Sequence, residues 1–258
     1  MITRKEFSAM VEEIAPLSLA LPWDNSGMNI SLHDEIKKVF ICLDLTEKSI
    51  AEAEKLGCDT ILTHHPILFR PLKTIDSANP VAKNVLLAVK KNMNVYSAHT
   101  SFDCSDVGTD AVFAKLLGMK DCEILDLSER IGRVGDSEEC SAEELIGKVK
   151  ETLKIEKVRT NGIRKTVKKI ACIGGSGGSY HLLAKAAGAD ALITGEAKYN
   201  DFIDSAEIGL LLIETGHFDS EKAFVSTMQC HLQTKSDVLK YNLDIYAYMT
   251  EKAPYDFI

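Results

Sequence analysis

Four of the seven histidines, His64, His65, His99 and His217, follow short apolar runs and have carboxylates close by in the chain. The segments are Thr63-His64-His65-Pro66, His99-Thr100-Ser101-Phe102-Asp103, Thr194-Gly195-Glu196 and Gly216-His217-Phe218-Asp219-Ser220-Glu221. In open α/β sheets ligands collect beyond the carboxyl ends of the strands, so these positions carry the chemistry to weigh first. Adjacent residues of a regular strand face opposite ways. A chain that leaves the strand at His64-His65, stiffened by Pro66, lets both imidazoles turn to one space. His217 and Glu221 are four apart and share one face of a helix that begins near Gly216. Asp103 adds a hard oxygen ligand. The imidazoles of His64, His65 and His217 with the carboxylates of Asp103 and Glu221 suit zinc, iron, manganese, cobalt or nickel. Five ligands exceed the three or four usual for one catalytic zinc, so the set predicts two divalent metal ions. Such pairs acidify water and polarise a bond under attack.

Several of these groups also have a plainer reading. Asp103 suits the N-cap of a following helix. His99 either orients a ligand from behind or belongs to the core of its strand. Glu196 is a candidate general base and His99 a candidate catalytic partner, against a solvated carboxylate as the bland reading of Glu196. Thr100 is a candidate for holding substrate. The run Gly174-Gly175-Ser176-Gly177-Gly178 leaves a strand and opens a helix at Ser179. Gly174, Gly175, Gly177 and Gly178 could offer backbone N–H groups to a phosphate or carboxylate, or form a tight connection that needs positive φ. The run matches neither a triphosphate-binding P-loop nor a dinucleotide fingerprint. The single tryptophan, Trp23, sits beside Asp24-Asn25, a turn-forming pair. Its loop either packs near the metal pocket or caps the first helix. His33, His181 and His231 read as ordinary surface or core residues.

These residues need strands and helices to hold them. Thr3 caps a helix whose apolar face carries Phe7, Met10, Val11 and Ile14. Strand-like runs at 39–45, 60–63 and 95–98 alternate with helices that end near Gly57 and cover about 81–91. The order repeats later, with strands at 169–173, 191–194 and 210–214 separated by helices up to Gly188 and through Phe202 to Ala206. Gly57-Cys58-Asp59-Thr60-Ile61-Leu62-Thr63 and Gly188-Ala189-Asp190-Ala191-Leu192-Ile193-Thr194 match nearly position for position, 131 residues apart. That is about half the chain and points to an internal duplication of a βαβαβ unit, with convergent turn chemistry as the alternative. Leu127 to Ser141, with Gly132, Gly135 and the acidic run 136–139, reads as an exposed connection. Ser141-Ala142-Glu143-Glu144 reads as a capping box opening a helix to about Leu153. The expected organisation is an α/β lobe at 1–127 and a second at 128–258, the tail 236–258 packing back on the first.

The chain has 258 residues, 45% hydrophobic and 26% charged, which fits a globular protein with a sizeable core. A net charge of −8 argues against nucleic acid as a partner and leaves cation binding open. Seven scattered cysteines without a C-x-x-C pair predict reduced thiols rather than a disulfide framework. No signal-peptide pattern opens the chain and no long apolar run predicts a membrane span, so a cytoplasmic protein is expected.

Taken together, Trp23-Asp-Asn-Ser-Gly-Met28, Thr63-His-His-Pro-Ile-Leu-Phe69, His99-Thr-Ser-Phe-Asp103, Gly174–Gly178, Thr194-Gly-Glu196 and Gly216-His-Phe-Asp-Ser-Glu221 resemble the GTP cyclohydrolase 1 type 2 homologue family, also called NIF-three-like. The match keeps its order over nearly the whole chain. The resemblance implies two similar α/β lobes with a dinuclear metal centre between them, in a ring-like homohexamer. Carried over residue by residue, it gives His64, His65, Asp103, His217 and Glu221 as metal ligands. Met28 stands where the family more often has Leu, a volume-conserving change. Phe218 stands where it often has Tyr, which removes a hydroxyl. The activity implied is metal-dependent hydrolysis of a nucleotide-like, phosphate-bearing small molecule, with Arg70, Arg133 or Lys198 as candidate anchors for the phosphates. The alternative is a non-catalytic metal-binding module that regulates or binds a partner.

Overall fold

The computed structural model describes residues 1–163 and 165–256. Along the chain run β1 (Ile2–Thr3), α1 (Arg4–Glu12), β2 (Gly27–Ile30), β3 (Glu35–Ile36), β4 (Lys38–Cys42), α2 (Glu47–Lys55), β5 (Thr60–Thr63), α3 (Pro80–Lys90), β6 (Asn94–Ser97), α4 (Thr100–Asp103) and α5 (Thr109–Leu116). Then follow β7 (Lys120–Asp126), β8 (Ile131–Ser141), α6 (Ala142–Leu153), β9 (Arg159–Thr160), β10 (Thr166–Ile173), α7 (His181–Ala186), β11 (Ala191–Thr194), α8 (Tyr199–Glu207), β12 (Leu211–Glu214), α9 (His217–Glu221), α10 (Ala223–Val238) and β13 (Asp244–Ala247). Packing groups these into two units. One holds Met1–Ser105 with Phe224–Glu251, the other Asp106–Ala223 with the stretch from Lys252 onward.

Capping chemistry sets the helix starts. Thr3 with Glu6, Thr46 with Ser49 and Ser141 with Glu144 form reciprocal capping boxes that satisfy the first N–H groups of α1, α2 and α6. Asn79 caps α3, and Pro80 takes its first turn, where no N–H is needed.

The first unit carries a five-stranded sheet in the order β13-β4-β5-β6-β2. Its β4, β5 and β6 are parallel, with Cys42 opposite Thr63 and Thr63 opposite Ser97 at their carboxyl ends. The tail strand β13 joins β4 in parallel, and β2 lies antiparallel to β6. Phe40, Cys42, Ile50, Ile61, Ala88 and Val95 fill a core under this sheet. The second unit carries a six-stranded sheet, β7-β8-β10-β11-β12-β9. Here β10, β11 and β12 are parallel, with Ile173 opposite Thr194 and Thr194 opposite Glu214. Strands buried on both faces by helices must be apolar throughout, which is why they read as continuous runs.

The repeated Gly-x-Asp segment folds the same way twice. Gly57 and Gly188 take φ of +68° and +82° just after α2 and α7, where the left-handed turn favours glycine. Asp59 Oδ2 then accepts the N–H groups of Lys37 and Lys38 at 2.9 and 3.1 Å, and Asp190 Oδ2 those of Lys168 and Lys169 at 2.9 and 3.2 Å. Asp59 thus pins the start of β4, and Asp190 pins β10 where its register shifts between Val167 and Lys169.

Leu127–Ser141 differs from expectation. It is not an exposed connection but the turn and second strand of the β7–β8 hairpin, and β8 pairs with β10 along its length. Gly132, Arg133, Val134 and Gly135 are buried, while the turn at Leu127-Ser128 and the acidic end 136–139 carry the solvent-facing composition of a loop. Gly135 lies so close to the Lys120 carbonyl that no side chain fits there. Among the described residues, no helix is long and apolar enough to cross a membrane.

Candidate metal centre

In the first unit β5 ends at Thr63, whose hydroxyl hydrogen-bonds Ser97 Oγ at 2.8 Å and donates to the His65 carbonyl at 2.8 Å. That side-chain bracket turns the chain out of the strand at His64-His65, and both rings come to lie 4.9 Å apart by centroid. His99, at the start of α4, adds a third ring 5.3 Å from His64 and 5.6 Å from His65. His64, His65 and His99 each offer a ring nitrogen, all within 4.8 Å of one another, so the cluster could hold a metal ion. Asp103, the last residue of α4, brings its Oδ1 to 3.5 Å from His64 Nε2.

The donor chemistry fits a metal. His64 Nδ1 donates to the Ala98 carbonyl at 3.0 Å; a carbonyl only accepts, so this bond fixes the tautomer and puts the lone pair on Nε2. His65 Nδ1 donates to Asp44 Oδ1 at 3.0 Å, and His99 Nδ1 to Asp24 Oδ1 at 2.7 Å. Carboxylate or carbonyl partners behind an imidazole are the usual means of orienting a metal-binding ring and raising its basicity. His64 is fully buried, with Phe224 tilted against it at 4.8 Å and Phe102 edge-on to both rings, 5.1 Å from Phe224 and 6.5 Å from His64.

The partners are themselves held. The Asp24 side chain is buried and accepts from His99 Nδ1, Ser26 Oγ, Thr100 Oγ1 and the N–H groups of Asn25 and Thr100. Burial alone would raise its pKa, but the His99 hydrogen bond and charge with the hydroxyl donors outweigh it and hold the carboxyl well below the usual range. Glu251 accepts the Leu43 N–H at 2.8 Å beside Asp44, and burial pushes its own pKa up.

In the second unit β12 ends at Glu214, Gly216 turns with φ +96°, and α9 begins at His217. His217 Nε2 lies 3.1 Å from Glu221 Oε2 one turn along, and its Nδ1 lies 3.3 Å from Glu196 Oε2 at the end of β11. The Glu221 side chain is 4% exposed and that of Glu196 is 55% exposed. A buried carboxylate against a ring nitrogen calls for a proton or a cation to neutralise it. The Glu214 carboxylate accepts from Ala197 N–H and Arg159; burial pushes its pKa up against the pull of Arg159.

The glycine run works differently from an anion cradle. Gly174 N–H donates to Asp110 Oδ1 at 2.8 Å, Gly175 to Ser220 Oγ at 3.0 Å, Gly177 to Thr194 Oγ1 at 2.9 Å and Gly178 to the Glu196 carbonyl at 3.0 Å. These four N–H groups bond within the protein, and the glycines are needed for close approach: a side chain would strike Thr109 at Gly174, Glu221 at Gly175, Ile173 at Gly177 and Ala197 at Gly178. Arg133 is likewise a buried strand residue, its guanidinium donating to the Gly132 carbonyl, and not an exposed phosphate anchor. Asp103 does not cap a following helix, since α5 starts from Gly108. The structure adds residues that the sequence reading passed over. Asp44 is one more strand-end residue of the same sheet, legible from its place after β4. The roles of Asp24 and Ser220 arise from contacts between distant segments and leave no local signal.

A model of the DUF34/NIF3 (NGG1p interacting factor 3) family matches residues 2–254. A protein of Clostridium perfringens named GTP cyclohydrolase 1 type 2 homolog is 33% identical over 257 residues, covering 96% of this chain and 97% of its own. One of the same name from Lactococcus lactis is 36% identical over 225 residues, 85% of this chain and 87% of its own. The crystal structure of a Bacillus cereus protein related to NIF3 superposes with a TM-score of 0.93 over 99% of both chains at 22% identity, which concerns the fold. The chain belongs to the DUF34/NIF3 family.

Proposed function

We propose that this chain binds two divalent metal ions through His64, His65, Asp103, His217 and Glu221 and hydrolyses a nucleotide-like substrate. The observation that carries the reading is that all four strand-end imidazoles have Nδ1 beside an acceptor: Ala98 O, Asp44, Asp24 and Glu196. Such partners aim Nε2 forward, for ligation in His64, His65 and His217 and toward substrate in His99. The names of the curated relatives supply the reaction class, GTP cyclohydrolase; in general chemistry that is a hydrolysis in which water is taken up, the purine's five-membered ring opens and formate is released.

Metal ions bound by this set supply an acidified water and polarisation of the bond under attack. The remaining work falls to the chain. Glu196, half in solvent, keeps a proton on His217 Nδ1 and is the carboxylate we assign to proton exchange with solvent. His99, its Nδ1–H held by Asp24, presents Nε2 to substrate and is the second assigned group. We assign zinc, iron, manganese, cobalt or nickel as the metal class from the mixed nitrogen and oxygen donors, and a homo-oligomer, a hexamer by family likeness, as the working state.

The test is metal-loaded protein incubated with GTP and a panel of nucleotides, with formate and nucleotide products measured. Turnover that disappears in a His65→Ala, Glu221→Ala double variant is expected. Equal rates in wild type and double variant overturn the hydrolase reading. Light scattering checks the hexamer.

A further inference from the structure

Two aromatic rings stand in solvent beside the imidazole cluster of the first unit. Trp23 is 54% exposed and Phe69 44% exposed. Burying an aromatic ring is among the larger single gains in folding, so a pair left open on firmly held loops points to something that covers it. The loops are firmly held. Pro22 and Trp23 occupy a turn closed by the Asp24 N–H on the Leu21 carbonyl at 2.9 Å, and Leu21 N–H donates to Thr100 Oγ1 at 2.9 Å. Asn25 Nδ2 donates to the Leu68 carbonyl at 2.8 Å, which ties the Trp23 loop to the segment carrying Phe69. Asp24 bonds His99 directly, so the wall and the cluster share one hydrogen-bond network.

The three rings form a corner. Trp23 and Phe69 meet at 5.9 Å and 72°, Trp23 and His99 at 6.1 Å and 70°, and Phe69 and His99 at 6.1 Å and 82°. Steep ring pairs at this spacing are the favoured aromatic packing, and one further planar ring added to this corner extends the same packing. We propose that Trp23 and Phe69 are the wall that takes the substrate's planar heteroaromatic ring, of purine type, with His99 as the edge shared with the metal-binding imidazoles. The inference rests on the nucleotide reading given above and names the residues that recognise the base. Every base has a π-face, so such a wall selects for a ring without reading its hydrogen-bonding edge. Arg70, exposed at the next position, brings a positive charge suited to the phosphate end.

Trp23 is the only tryptophan of the chain, so its emission reads this wall alone. The full chain, its metal content measured on the same sample, is titrated with GMP, AMP and ribose 5-phosphate. Both nucleotides are expected to quench the emission to saturation, and ribose 5-phosphate is not. By calorimetry, Phe69→Ala and Trp23→Ala weaken GMP binding by about tenfold or more, while Trp23→Phe stays within about threefold of wild type. Ribose 5-phosphate binding as tightly as GMP, or alanine variants that bind GMP like wild type, overturns the inference. Self-association that Trp23→Ala abolishes also overturns it, because a second copy then covers the rings. Ring-dependent GMP binding without metal uptake removes the metal-centre reading and leaves the wall standing. Metal uptake without ring-dependent GMP binding removes the wall alone.

Discussion

Gly175 and Glu221 share one volume: a side chain on Gly175 would overlap the Glu221 carboxylate, and Gly175 itself has φ +58°. The glycine lets the loop after β10 close over the carboxylate, and the Gly175 N–H bonds Ser220 one residue before it. The function of this glycine is to make room for a candidate ligand.

Gly175→Ala therefore carries two penalties, left-handed strain and displacement of Glu221. Gly188 offers the control, since it has φ +82° and nothing within 4 Å of an added Cβ. Gly188→Ala is expected to cost about 1 kcal/mol by thermal denaturation and to leave metal affinity unchanged. Gly175→Ala is expected to cost more and to weaken metal binding by about tenfold or more. Equal metal affinity in both variants contradicts the positioning role.

Asp24→Asn removes the charge and one of the two acceptor oxygens that hold His99, Ser26 and Thr100 together. Because the folded chain holds the Asp24 carboxyl below its usual range, its stabilisation is fully present above the unfolded value, about 3.9, and is lost as pH falls through the lower folded value. Urea denaturation at pH 7 should show a loss of about 2 kcal/mol in the variant. The gap to wild type should narrow from about pH 5 downward. A gap that stays constant into acid contradicts the assignment.

Asp44→Asn tests the ring partner of His65. The Asp44 side chain is half exposed, so folding is expected to change little. Metal affinity is expected to fall by about 10- to 100-fold, the usual effect of losing a carboxylate behind a ligating imidazole. Isothermal titration with zinc or cobalt reads it, and unchanged affinity removes His65 from the ligand set.

Metal binding should also be visible in stability. At a free metal concentration of about 100 times Kd, linkage adds about 2.7 kcal/mol, reversed by a chelator. The thermal midpoint of wild type should rise with metal, and that of Glu221→Gln should rise less. A midpoint indifferent to metal and chelator speaks against any folded-state site.

The parts of this molecule legible in its sequence are those written locally. Thr3 and Ser141 announced helix starts because capping needs only residues three apart. The buried parallel strands announced themselves as apolar runs, and His64, His65, His99 and His217 followed from their places after strand ends. The glycine run was legible as a turn but not in its purpose, since Thr109, Ser220 and Glu221, which crowd it, come from other stretches of chain. The β7–β8 hairpin was hidden because the acidic end of β8 faces water and has a loop's composition. Asp24 and Asp44 could not be paired with His99 and His65 until the fold had brought those residues together.

The most direct measurement is elemental analysis of untagged protein after exposure to divalent metals and removal of the excess. Two metal ions per chain in wild type, and clear loss in both His65→Ala and Glu221→Gln, are the predicted result. Absence of retained metal in wild type, or full retention in both variants, contradicts it.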